Sequence, residues 1–429
     1  MKEINLEIAV NKSVFLIGAG AAYGTKQLRT KCKMSSEMLG DLQAKIIGTS
    51  SSGLNKPQTE SLKFLFSCLE YHNKWRSLES RNKFEFSPNI EELALVIRRI
   101  KNRENFLPYP LTGNWADKLI QLESEHNLNK LDVESELFES LERIIKNDYL
   151  KDWLQFEDES LNYLDPLYNI MSSSNLKSPL ELFSLNYDLI IETFLEKKGV
   201  KPRTGFYSNE WRGMDFDDVN ESFVKMNLYK LHGSLDWVRL NTGEVKMINA
   251  LTEEEKNDID VNHSPYVIFG HGTKTFSFDP FFNLTKHFKE KLTERPYIFV
   301  IGYSFFDPYI NNLIIEALNN DISKKLIIIN PYFGPKNNGL TKGEFDNALN
   351  DDGKPFGNLL VEYIEEIQRN PFYSELPEFN ISKINGEKRI HFIEEGFDYF
   401  MNNYFNEDGK KFIELVNSFD KESAFLDPF

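Results

Sequence analysis

Two hydrophobic periods alternate along this chain. Short continuous apolar runs recur: Val14 to Ile17, "PLELFSLNYD", "LYKLHGSLDW", "YIFVIGYSF" and "KLIIIN". Most are followed by segments whose apolar residues fall three and four apart, the mark of an amphipathic helix. "LIIETFLEKKG" is such a helix, with Gly199 as its C-cap. "FNLTKHFKEKLTERP" is another, stopped by Pro296. "DPYINNLIIEALNN" begins with Asp307 as N-cap and Pro308 at the first helical position. "KRIHFIEEGFDYFMNNYF" reads as strand then helix, and "YVIFG" as a further short strand. The region between "LYKLHGSLDW" and about residue 265 is polar and reads as turns.

From about 35 to 175 only the helical period is present, as in "TESLKFLFSCLEYHNKWRSLES" and "IEELALVIRRI". This divides the chain into an opening strand, turn and helix (1–34), a helical insertion (35–175) and a returning strand and helix region (176–429). Continuous apolar strands alternating with helices predict an α/β fold: a Rossmann-like parallel sheet with helices on both faces and a large helical insertion. Ligands of such sheets bind beyond the carboxyl ends of the strands. The residues with chemistry fall there: Gly18 to Ala22, Asn186 to Asp188, His232 to Ser234, Gly302 to Asp307, and Asn330.

Composition narrows the field. The formal net charge of -16 disfavours general nucleic-acid binding, because phosphates are repelled over most of such a surface. There are two cysteines, Cys32 and Cys68, and no C-x-x-C or H-E-x-x-H. That excludes a four-cysteine zinc module and any disulfide framework, and no metal is expected. No signal-peptide core and no apolar run of about 18 residues is present, so a cytoplasmic protein away from membranes is expected.

The turn "GAGAAYG" follows a strand and precedes a predicted helix starting near Gly24. Gly18 and Gly20 in that setting admit a pyrophosphate to backbone N–H groups; the plainer reading is a turn that needs glycine. A dehydrogenase fingerprint also requires an acid about 20 residues on, at the end of a second strand. Asp41 lies near that distance but in helical surroundings. Asn186 and Asp188 suit a ribose hydroxyl and a carboxamide, or else simply tie down a turn and cap a helix. His232 suits a general base, or a half-buried structural histidine. Gly302, Ser304 and Asn330 suit a phosphate or ribose; for Asn311 the plainer reading is solvation of a helix. His263, His271 and His287 lack metal-ligand spacing and read as structural or surface residues.

Taken in order, "GAGA", "NYDLIIE", "LHGSLDW", "IGYSFFDPYIN" and "IIIN" resemble the sirtuin-like (silent information regulator two) family, with its bacterial anti-phage, NAD-consuming branch the nearest in kind. The resemblance covers residues 11 to 30 and 180 to 335. It implies NAD as substrate. Gly18, Ala19, Gly20 and Ala21 would line the phosphates, and Asn186 and Asp188 would flank the nicotinamide ribose and carboxamide. His232 would be the base, and Gly302, Ser304 and Asn330 would hold the adenosine side. Asp307 and Asn311 match the defence-branch pattern. Ala22 departs from it, standing where members often carry serine. The missing zinc module makes a deacylase less apt than an NAD glycohydrolase.

Such an enzyme releases nicotinamide and leaves ADP-ribose or a cyclic form. Unregulated, it would exhaust its host, so gating is expected through homo-oligomerisation, a trigger ligand, or a second subunit such as a HerA-type ATPase. Two other readings stay open. One is an NAD- or ADP-ribose-binding regulatory module without turnover. The other is a deacylase or ADP-ribosyltransferase.

Overall fold

The computed structural model describes residues 4–22, 35–47, 54–79, 88–101, 115–129, 136–146, 158–215, 224–260, 265–268, 278–331, 389–393 and 395–425. A short helix α1 (Leu6–Asn11), capped by Asn5, leads into β1 (Ser13–Ile17). The helical block follows: α2 (Ser35–Ile47), α3 (Lys56–Glu79), α4 (Ile90–Lys101), α5 (Trp115–Asn129), α6 (Leu137–Ile144), a 3-10 segment (Asp158–Leu164) and α7 (Asp165–Ser172). Next come β2 (Leu180–Ser184), α8 (Ile190–Lys197), β3 (Phe206–Tyr207), β4 (Glu210–Trp211), β5 (Met226–Lys230), β6 (Trp237–Arg239), β7 (Val245–Met247) and α9 (Glu253–Asn257). The chain then forms α10 (Phe281–Glu294), β8 (Tyr297–Ile301), α11 (Pro308–Asn320), β9 (Lys325–Ile329), β10 (Ile390–Ile393), α12 (Phe397–Tyr404) and α13 (Lys410–Phe425).

Six strands pair in parallel in the order β10-β9-β8-β1-β2-β5. The chain winds outward from β1 through β2 to β5, returns to β8 on the other side of β1, and winds outward again. This is the doubly wound Rossmann order, with its switch point between β1 and β8. Every residue of β1, β8 and β9 is buried. Successive side chains of a strand point to opposite faces, so both faces are covered. On one face Phe15 stacks on its register neighbour Phe299 at 5.4 Å and meets Phe405 and Phe412 of the C-terminal helices. On the other, Phe183 stacks on Tyr229 at 4.4 Å and packs on Phe288 of α10 at 5.0 Å. Each such ring contributes about 2–3 kcal/mol by leaving water.

The helical block shares one continuous apolar core with the sheet, running from Met38, Leu65 and Leu93 through Val14 to Val416. Its charges are arranged as buried clusters. Glu142 on α6 meets Arg98 at 3.1 Å, Lys146 at 3.4 Å, and Lys101. Burial would raise its carboxyl, but Lys146, Arg98 and Lys101 together hold it down at about 2.

Among the described residues no strand interrupts the block, as the helical period predicts. The polar region before residue 265 differs from its reading as turns. It contributes β6 and β7 to a second, antiparallel sheet in the order β3-β4-β7-β6, whose other two strands come from earlier in the chain. Strands of two or three residues are too short to show alternation, which is why sequence periodicity passes over them. "YVIFG" makes only an isolated bridge, Val267 to Gly233, within its described part. The helix expected from Gly24 lies outside the described residues, as does Cys32.

Candidate active site

The switch point brings two loops together. Gly18 donates its N–H to Ile301 O at 2.9 Å, and Gly20 to Gly302 O at 2.8 Å. Ala21 donates to Gly18 O at 2.9 Å. A β-carbon on Gly302, whose φ is +64°, would stand 2.4 Å from Ala21 N; one on Gly20 would stand 2.8 Å from Gly302 Cα. The glycines therefore answer first to the close passage of two loops. The N–H groups of Gly18, Gly20 and Ala21 are engaged inside the protein. Ala19 is the exposed residue of the turn, Gly20 is half-buried and Ala22 is buried. Tyr23 and Gly24 lie outside the described residues.

The loop after β8 is held from beneath. Phe305 is buried with φ of +58°, a conformation that costs a bulky residue about 1 kcal/mol or more. Tyr303 Oη donates to Asn311 Oδ1 at 2.8 Å and accepts the N–H of Asp307 at 3.0 Å. Asn311 Nδ2 donates to Phe305 O at 2.6 Å. Asn311 is thus fully buried, not a solvated helix position, because the first turn of α11 packs under this loop. Asn330, at the end of β9, is buried and donates to Tyr303 O at 3.3 Å. Ser304 is exposed.

Across β1 lie the loops after β2 and β5. Asn186 is half-buried, its N–H donated to Ser184 Oγ at 3.1 Å. Asp188 is buried, and its Oδ1 accepts the N–H of Ile190 at 3.0 Å. Both line a pocket with Ala21, Tyr163, Glu192 and Lys230. Lys230, nearly inaccessible, donates to the backbone oxygen of Asp188 and pairs with Glu192 at 2.9 Å. Burial raises the carboxyls of Asp188 and Glu192, and Lys230 opposes the rise in both. Lys230 and Glu192 are residues that sequence reasoning missed. The signal was a lysine inside the apolar run "LYKLHG". A buried cation in such a run needs an anionic partner, but sequence does not say which.

His232 is fixed on several sides. Its backbone oxygen accepts the N–H of Ile268 at 2.8 Å, and its ring lies near-parallel to Tyr187, 6.2 Å between centroids. Tyr187 Oη donates to Ile268 O at 2.7 Å. Gly233 follows with φ of +84°, and a β-carbon there would meet Tyr266 O at 2.2 Å. His232 Nε2 lies 2.9 Å from Asp307 Oδ2. The other oxygen of Asp307 caps α11, accepting from Tyr309 N at 2.8 Å and Ile310 N at 3.2 Å. The expected cap is present, and the same carboxylate also backs the histidine. This joins the loop after β8 to the loop after β5.

Burial pushes the carboxyl of Glu91, in the first turn of α4, up to about 7; His232 draws it down, while Asp307 and Glu92 raise it. Nothing in its helical sequence context marks Glu91 as a site residue.

Asp41 sits on α2, consistent with its helical surroundings. His287 pairs with Asp215 at 3.4 Å and Glu290 at 3.7 Å; His263 and His271 lie outside the described residues. Among the described residues no group of three or more His, Cys, Asp or Glu is placed to hold a metal ion. Among them, too, no helix is long and apolar enough to cross a membrane.

Residues 180–342 match a family model described as SIR2-like domain. The match runs from β2 through the loops that carry Asn186, His232, Asp307 and Asn330, and it supports the sirtuin-like resemblance. β1, its glycine turn and the helical block lie outside it. SIR2-like domains use NAD and are in general NAD-dependent enzymes. No curated protein matches the chain.

Proposed function

We propose that this protein is an NAD glycohydrolase, cleaving the nicotinamide–ribose bond of NAD to nicotinamide and ADP-ribose or a cyclic ADP-ribose. The observation that carries this reading is the pocket lined by Asn186 and Asp188, with His232 near-parallel to the intervening Tyr187 at 6.2 Å and Asp307 2.9 Å from the histidine. The matched SIR2-like stretch supplies the link to NAD.

The nicotinamide of NAD is already cationic and leaves neutral, so the protein need not protonate it. It must hold the ribose as positive charge develops, and take a proton from the attacking oxygen. Asp188 accepts from the carboxamide, and Asn186 positions the ribose or the water. His232 takes the proton, and Asp307 stabilises the imidazolium that results. With water as nucleophile, NAD and water give nicotinamide, ADP-ribose and one proton; with a ribose hydroxyl, the cyclic product. Gly18, Ala19, Gly20 and Ala21 shape the floor under the phosphates. Gly302, Ser304 and Asn330 line the adenosine side.

Within this reading the chain belongs to the zinc-free, anti-phage branch and acts by depleting NAD. Its activity is gated by self-assembly or by a second subunit, for which a HerA-type ATPase is the candidate. Incubation with NAD followed by mass analysis of products tests the reading. Nicotinamide release is expected, and His232→Ala and Asn186→Ala should each lower it by about 100- to 10,000-fold. Full activity in both variants overturns the assignment. NAD binding without turnover would establish the regulatory-module reading instead.

A further inference from the structure

The pocket lined by Asn186 and Asp188 holds a cation that the proposed chemistry does not use. We infer that Lys230, with Glu192 as its counterion, is a positioning residue: it holds the loop after β2 so that Asn186 and Asp188 keep their places at the pocket wall. This rests on the reading of Asp188 as the acceptor for the carboxamide of NAD.

Lys230 is the last residue of β5 and pairs in register with Ser184, the last residue of β2. Leu228, Lys230 and Ser184 line the pocket together with Asn186, Asp188 and Glu192. Alternate residues of a strand share a face, which is why Leu228 and Lys230 both reach it. Only 2% of the Lys230 side chain is exposed, against 22% for Glu192. An ammonium so enclosed must be paired, and two acceptors meet it. Glu192 Oε1, in the first turn of α8, lies 2.9 Å from Nζ. The second acceptor is the backbone oxygen of Asp188.

The second contact goes beyond charge balance. A carboxylate alone would neutralise the ammonium; the bond to Asp188 O also ties the end of β5 to the loop after β2. Backbone bonds join the same two segments on either side of it. Leu231 N–H donates to Ser184 O at 2.9 Å, and Leu235 N–H to Tyr187 O at 3.1 Å. Lys230 O accepts the N–H of Gly233 at 3.0 Å, in the turn that carries His232. Lys230 therefore reaches one loop through its side chain and begins the other through its backbone. Within the loop after β2, Ser184 Oγ accepts the N–H of Asn186 at 3.1 Å, and Asp188 Oδ1 that of Ile190 at 3.0 Å. With its carbonyl pinned by Lys230, Asp188 keeps a fixed place at the pocket wall. Glu192 keeps the ammonium aimed at that carbonyl.

Stability and positioning are separated by comparing Lys230→Met with Lys230→Met/Glu192→Leu in the full chain. Lys230→Met leaves Glu192 without its partner and should lower the denaturant midpoint. The double variant removes both charges and should restore most of it. Neither variant offers Asp188 O the ammonium. Amide hydrogen exchange across residues 185–190, measured without NAD, should therefore be about tenfold faster or more in both. kcat/KM for nicotinamide release should also fall about tenfold or more in both. Where Lys230→Met does not fold, the double variant carries the comparison against wild type. Wild-type exchange in a folded double variant overturns the inference. So does nicotinamide release restored together with stability, which would make the lysine a structural counterion only. If the wild-type protein releases no nicotinamide, the glycohydrolase reading fails, and the exchange still decides whether Lys230 holds the loop.

Discussion

The two halves of the cleft are built from different materials. On the β1 and β8 side, backbone does the work. Glycines let two loops touch, their N–H groups are engaged in that contact, and Tyr303, Asn311 and Asn330 brace it from below. On the β2 and β5 side, side chains do the work. Asp188, Glu192, Lys230 and His232 are buried or half-buried charges and bases, each balanced by a partner. The difference teaches where tolerance lies. A backbone contact fails by steric collision and is read in stability. A side-chain site fails by lost chemistry and is read in rate.

The largest expected effect tests the backbone half. Gly302→Ala puts a carbon 2.4 Å from Ala21 N in a left-handed conformation, and should cost about 3 kcal/mol of stability or more by denaturant unfolding. Gly40, exposed on α2 with nothing near its missing side chain, is the control. Gly40→Ala should instead stabilise by about 0.5–1 kcal/mol. Equal effects at the two sites would break the comparison.

The next tests how firmly the helical block backs the side-chain half. The carboxyl of Glu142 is depressed to about 2 in the folded state, so its contribution is fully present above its ordinary value of 4.5. As pH falls from there through 2, that contribution is lost. The expected loss is on the order of 2 kcal/mol, read as a difference between the acid-unfolding curves of wild type and Glu142→Gln. Parallel curves would deny the cluster a part in stability.

The smallest expected effect sharpens the boundary between the halves. Asp307 belongs to the backbone half yet acts on His232. Asn retains the capping oxygen, so Asp307→Asn should change stability by less than about 1 kcal/mol. Nicotinamide release should fall by about tenfold, through loss of the charge behind the imidazole. A variant that loses stability but not rate would place Asp307 wholly in the backbone half.

Much of the frame was legible. β1, β2, β5, β8 and β9 announce themselves as continuous apolar runs, because parallel strands are buried on both faces. The Asp307 cap and Pro308 are a local signal, and they held. The β3-β4-β7-β6 sheet did not show, because its strands are shorter than any period. α13 also went unread, although its face closes the core over Phe15. In the candidate site, Asn186, Asp188 and His232 were chosen for standing at strand ends. The structure places Asn186 and Asp188 on one pocket and His232 beside Tyr187, between them in sequence, and their catalytic roles rest with the experiments above.

What sequence alone determined is what hydrogen bonding and hydrophobicity encode over a few residues: the strands, the helices, the breaks between them, and so the doubly wound order's raw material. What the tertiary structure decided are pairings between distant segments. That Gly18 and Gly20 pack against the loop after β8 is visible only in the fold. Lys230 went unread until the fold set Glu192 2.9 Å from it. A charge or a close contact takes its meaning from what stands within a few ångströms. That distance is fixed by the packing of the core, not by neighbours along the chain.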